Sequence, residues 1–190
     1  MHRGLYEPGV AVGYEVDPAP GRHTSTFSGT TGAAPFAPYF ALHGRKPAAR
    51  YDYQEKGSTE AIIMSVLRAF DSLGLCQFAL YMGRPPFLEW LNAATGWGFD
   101  EAELYRAGKR IQVLRHAFNA REGLPPRFPL PGRERGDPPQ EIGPTAGRRL
   151  DMEAMAAGYF QMLGLDPSTG MPLPETVREL GLEQVLVPSA

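Results

Sequence analysis

Cys76 is the one cysteine in 190 residues. A single thiol forms no internal disulfide and cannot by itself build a zinc or iron–sulfur site, so any metal role draws its other ligands from outside this chain. An excess of either charge is missing as well, since 19 Lys and Arg stand against 21 Asp and Glu for a net charge of -2. Without a basic field, nucleic acid and anionic membrane are not favoured as partners. No apolar run approaches the ~18 residues expected of a membrane span, and the amino terminus lacks a charged region followed by an apolar core and a cleavage site. These absences lead us to expect a cytoplasmic, globular protein with no membrane and no nucleic acid among its partners. Internal repeats and strand-rich stretches are also lacking, and the fold expected is all-α, multihelical, with about five helices after an irregular amino-terminal segment.

What the chain does have is glycine and proline, 22 and 19 of them, and their placement divides it into three parts. Over residues 1–55, Pro8, Pro18, Pro20, Pro35, Pro38 and Pro47 with glycines between them interrupt each candidate element, which predicts a loop-rich segment. Residues 56–123 read as helical. Ile62, Ile63, Val66, Leu67, Phe70 and Leu73 share a face of a helix over Ser58–Leu73 with Ser58 as N-cap, and Gly74 stops it, so that Leu75 and Cys76 leave on a sharp turn. Pro85 and Pro86 open a second helix that stops at Gly96. Asp100 with Glu103 forms a capping box for a third, in which Leu104, Ala107, Ile111, Leu114 and Phe118 face inward and Arg106, Lys109, Arg110 and Arg121 form a solvated face. Residues 124–190 begin with a proline-rich connection, Leu124 to Arg149, whose length suggests a partner surface. Asp151 then caps a helix burying Met152, Met155, Tyr159, Met162 and Leu163, Asp166–Gly170 makes a turn, and Pro174–Leu180 forms a last short helix. Val185–Val187 is too brief to assign.

Chemistry is sparse on these grounds alone. His23 lies in a polar turn, Gly21 to Ser25, where a solvated loop histidine is the simple reading, and His2, His43 and His116 have no nameable partner. Asp71 and Cys76 would cap a helix end and fill a small apolar site. Three blocks in order change that reading: DSLGLC over residues 71–76, RHAFNAREG over 115–123, and GYFQMLGLDPSTGMPLPETVRELGL over 158–182. Together they resemble the C-terminal region of the tungsten-containing aldehyde ferredoxin oxidoreductase family. The resemblance implies that Asp71 contacts a pterin of the tungstopterin (or molybdopterin), that Leu75 belongs to the same cofactor-binding motif, and that Cys76 is one ligand of a [4Fe-4S] cluster. It also implies that His23, after the turn at Ala19–Arg22, lies near the metal as a proton donor or substrate contact. A carboxylate accepts two parallel N–H bonds from a planar donor, as pterin recognition requires, and a thiolate is the form that ligates iron.

The other three cluster cysteines, the first pterin motif and an acidic general base, which the family places upstream, are absent. Met1-His2-Arg3-Gly4 looks internal to the family pattern. The chain is therefore expected to be a C-terminal portion of a larger enzyme (an excised domain, a split subunit or a truncated gene). Its partners would be the missing N-terminal domains, ferredoxin and an aldehyde. Alone it is expected to hold none of these cofactors and to be inactive. The rival expectation is a non-catalytic helical interaction module that uses the proline-rich loop and the arginine-bearing helix face.

Overall fold

The computed structural model describes residues 3–26, 34–83 and 85–186; Met1, His2, Gly29, Gly32 and Val187 lie outside them. Among the described residues there are nine α-helices and no strand: α1 (Pro8–Val16), α2 (Ala37–Ala41), α3 (Tyr53–Ser72), α4 (Phe87–Thr95), α5 (Glu101–Arg121), α6 (Gly132–Arg135), α7 (Met152–Leu163), α8 (Pro174–Leu180) and α9 (Glu183–Leu186).

The axis of the fold is α3. It begins five residues earlier than the apolar pattern suggests, with the Asp52 carboxylate accepting the Glu55 N–H at 3.4 Å. Ser58, the expected cap, sits inside the helix, and its hydroxyl donates to the Gly158 carbonyl of α7 at 3.3 Å. From Lys56 to Phe70 every residue is buried. Ala61 and Met64 face a core shared with Leu5, Val12, Val16, Met155, Tyr159 and Leu163. Ile62, Ile63, Val66, Leu67 and Phe70 face a second core with Phe36, Phe40, Phe87 and Leu104. A helix with apolar surface on both sides has to be central.

Two glycines let its neighbours reach it. A Cβ on Gly57 would lie 1.8 Å from the Met155 carbonyl oxygen of α7, and one on Gly108 of α5 would lie 1.9 Å from the Ser65 carbonyl oxygen of α3. Both glycines have ordinary helical φ, so they serve backbone approach, not turning.

Three expectations need correction. The loop-rich segment 1–55 contains α1, almost wholly buried. Pro8 starts this helix where no N–H is required, and packing against α3 and α7 outweighs the low helix propensity of Gly9 and Gly13. The inward face of α5 is rotated from the expected one: Tyr105, Gly108, Lys109, Gln112, Val113, His116 and Ala117 are buried with Leu104, while Ile111 and Leu114 are half-buried and Phe118 is exposed. Apolar periodicity failed here because the helix buries polar groups that have partners. The third concerns Arg106, Lys109 and Arg110 of α5, which are not merely solvated, whereas Arg121 is exposed beside Glu122 as expected. Arg106 donates to the Glu179 carbonyl at 2.8 Å, Arg110 to the Leu180 carbonyl at 2.8 Å, and Lys109 pairs with the Glu179 carboxylate at 3.2 Å, together satisfying the C-terminus of α8.

The proline-rich connection is likewise tied to the core. Arg127 donates to the fully buried Glu15 of α1 at 2.9 Å and to Glu153 of α7 at 2.6 Å, and the Leu130 N–H reaches the second Glu15 oxygen at 3.2 Å.

Candidate functional site

The end of α3 is built by its own sequence. Gly74 takes a left-handed φ of 71°, and the space around a Cβ there is empty, so it is conformation and not crowding that asks for glycine. The Gly74 N–H bonds the Asp71 carbonyl and the Leu75 N–H bonds the Phe70 carbonyl, each at 3.1 Å. This is a Schellman closure, and its usual apolar contact is present, since Leu75 packs on the core cluster that contains Phe70. Cys76 follows in extended backbone and is exposed. Its carbonyl accepts the Ala79 N–H at 3.0 Å and opens a 3-10 turn, Gln77–Met82. Leu73 and Phe78, on either side in sequence, are exposed at 38% and 60%. The helix exit therefore presents a thiol amid apolar surface.

Asp71 stands five positions before the thiol, in the last turn of α3, with its side chain 49% exposed. Among the described residues its carboxylate has one partner, Arg68, whose Nη1 lies 3.1 Å from Oδ2. Arg68 is buried, and its Nη2 donates to the Ser25 carbonyl at 3.1 Å. Ser25 closes the 3-10 turn His23–Ser25, in which the Ser25 N–H bonds the Arg22 carbonyl at 3.2 Å. His23 is exposed on that turn. One guanidinium thus joins the segment carrying His23 to the helix end carrying Asp71, Leu75 and Cys76. Burial pulls the Arg68 pKa down, while the charges of Asp17 and Asp71 oppose the shift; a guanidinium remains a cation through such a shift.

Behind Arg68 lies a polar network that no local pattern in the sequence announces. Asp17 is fully buried. Its Oδ1 accepts the Ala19 N–H at 2.8 Å and Arg115 Nη2 at 3.2 Å, and its Oδ2 accepts Gln112 Nε2 at 3.2 Å. Gln112 also donates to the Tyr159 hydroxyl at 2.7 Å, and Tyr159 meets His116 Nε2 at 2.9 Å. Burial pushes the Tyr159 hydroxyl up and His116 down to about 3, the latter aided by Arg115 and opposed by Asp17. His116 is therefore neutral near pH 7. The Tyr159 hydroxyl accepts from Gln112, and the direction of its bond with Nε2 follows the imidazole tautomer. The one available sequence signal was Gln112 and His116 four apart on a helix that otherwise reads as amphipathic.

The donor set can be tested against the cofactors implied by the motif. Asp71 is a half-exposed carboxylate with lone pairs left over from its single ion pair, which fits acceptance of N–H groups from a planar heterocycle. Cys76 is an accessible thiol that fits one corner of a cluster. Among the described residues no group of three or more His, Cys, Asp or Glu could hold a metal ion, so the fit is to a shared site, part of which this chain supplies. No helix among them is long and apolar enough to cross a membrane.

Comparison with known proteins agrees with the motif order. The family model described as aldehyde ferredoxin oxidoreductase, domains 2 and 3, matches residues 1–182. The chain is similar to a tungsten-containing aldehyde ferredoxin oxidoreductase of Pyrococcus horikoshii, 30% identical over 135 residues, covering 70% of this chain and 22% of the relative. The protein of the same description in Pyrococcus furiosus is 32% identical over 117 residues, covering 60% and 19%. That of Thermococcus kodakarensis is 30% identical over 135 residues, covering 70% and 22%. The matched chain spans about a fifth of the length of these curated relatives.

Proposed function

The chain belongs to the aldehyde ferredoxin oxidoreductase family, and from that premise we propose that it forms the C-terminal part of a cytoplasmic tungstopterin (or molybdopterin) and [4Fe-4S] oxidoreductase. The reaction takes an aldehyde and water to a carboxylic acid, two protons and two electrons, with ferredoxin as electron acceptor. When bound, the metal–pterin centre would supply the two-electron redox chemistry and the cluster one-electron transfer. Within this chain, Asp71 holds the pterin by accepting its N–H groups, Leu75 shapes the turn between the two contacts, and Cys76 gives its thiolate to the cluster. His23 donates a proton or contacts the aldehyde. The upstream domains supply the remaining cluster thiolates, the other pterin contacts and the acidic base, so the isolated chain oxidises no aldehyde.

The observation that carries this reading is the helix exit itself: an accessible carboxylate and an accessible thiol five positions apart across one hydrogen-bonded helix closure, with exposed Leu73 and Phe78 beside them in sequence. Exposed apolar side chains around a polar site suit a surface that another domain covers. The alternative, a non-catalytic interaction module, is less favoured because Arg127, Arg106 and Arg110, which it would use, make contacts within the chain.

The test is to purify the complete protein containing this chain in wild-type and Asp71→Asn forms and to measure pterin released on denaturation per polypeptide. Replacing the acceptor oxygen by an amide donor should lower pterin content about tenfold or more, as the loss of a charge-assisted pair predicts. Equal pterin content in the two forms would remove Asp71 from the cofactor site.

A further inference from the structure

We propose that Arg68 is a positioning residue that couples the two halves of the site: its guanidinium holds the His23–Ser25 turn through the Ser25 carbonyl and, with its other terminal nitrogen, sets the Asp71 carboxylate. The inference rests on the reading of Asp71 and His23 given above.

The geometry is specific to arginine. Nη2 lies 3.1 Å from Ser25 O and Nη1 lies 3.1 Å from Asp71 Oδ2. The two nitrogens belong to one rigid plane, so a displacement at either partner is felt at the other. The side chain, 5% exposed, cannot swing into solvent to find a substitute, and its Nε has no hydrogen-bond partner among the described residues. Donors aimed at two separate loop and helix ends, with a third left unpaired, are costly for stability alone and make sense if the two ends must keep a fixed spacing. The stem rises from α3 within its buried stretch, so the clamp is anchored on the buried central helix. Asp17, at the buried end of α1, faces the same guanidinium electrostatically and balances its charge from the interior side, as Asp71 does from the solvent side. A ligand that draws on the Asp71 carboxylate would thereby act on the turn that presents His23. A lysine, with one compact ammonium on a flexible stem, lacks the planar fork that fixes the spacing between these two partners.

The experiment is an isotope-labelled NMR double-variant comparison on the full chain. In the wild-type background, Asp71→Asn should move the Ser25 and His23 resonances beyond their line widths; in an Arg68→Lys background the same substitution should leave them in place. Unmoved resonances in the first comparison overturn the clamp, and since Asp71 is half-exposed this arm does not depend on Arg68→Lys folding. Movement of equal size in both backgrounds also overturns it, because the effect then passes through space without Arg68. The site reading fails separately: clamp coupling intact in NMR, but pterin content of the complete protein unchanged by Asp71→Asn, would remove the cofactor role while retaining the coupling. In the complete enzyme, Arg68→Lys should keep most of its pterin and lose kcat by about 100-fold through a displaced His23. A kcat within about twofold of the wild type would remove the positioning role.

Discussion

His116 is buried and bonded to the Tyr159 hydroxyl, and its burial makes it a measurable acid liability. Its pKa of about 3 in the fold lies below the ordinary 6.5. Above about pH 6.5 both folded and unfolded chains hold it neutral, so the full stabilisation is present there. As pH falls, the unfolded chain takes up a proton that the fold refuses until about pH 3. Stability from this one group therefore falls as pH falls, by at most about 1.4 kcal/mol per pH unit in the middle of that window. Thermal unfolding of the wild type and of His116→Gln should show the wild type losing stability relative to the variant as pH is lowered from about 6.5 to about 4.5; parallel curves would contradict the assignment. Single residues whose role is local were readable from sequence. Gly74 as a stop, and Asp100 and Asp151 as caps accepting the Glu103 and Ala154 N–H groups at 2.8 and 3.0 Å, are where their neighbours predict. Arg68, Asp17 and Gln112 were not, because each acquires its meaning from a partner more than forty positions away.

At the scale of elements, helix existence was legible and helix orientation was not. The α4 and α7 boundaries follow from Pro86, Gly96, Asp151 and Gly164. For α5 the apolar repeat pointed to Ile111, Leu114 and Phe118, but the helix turns Gly108, Gln112 and His116 inward, since a close backbone approach and a satisfied polar network outweigh partial burial of three apolar side chains. The glycines make this testable. Alanine in a helix interior normally gains up to about 1 kcal/mol over glycine. At Gly57 and Gly108 the added methyl would meet the Met155 and Ser65 carbonyl oxygens at 1.8 and 1.9 Å. The helices would have to part, and Gly57→Ala or Gly108→Ala should lower stability by about 3 kcal/mol. Urea unfolding measures it; a midpoint equal to or above that of the wild type would show that α3 does not pack as described. The amino-terminal segment shows the same effect, for α1 forms with two glycines inside it because all of it but Tyr14 is buried.

The described residues form an all-α fold around the central helix α3, whose exit carries the residues proposed above for the cofactor site. The chain's matched length is about a fifth of the curated relatives, and among the described residues no group of three or more His, Cys, Asp or Glu could hold a metal ion. The motif order made the family legible before any coordinates, whereas the link from His23 to Asp71 through a buried arginine needed the fold. The most direct test of the account is the iron content of the complete protein, purified anaerobically in wild-type and Cys76→Ser forms. Loss of most of the iron, together with the cluster's visible absorption, is the predicted result, because serine replaces a soft thiolate ligand. Iron content and absorption unchanged by the substitution would contradict the placing of a cluster at this helix exit.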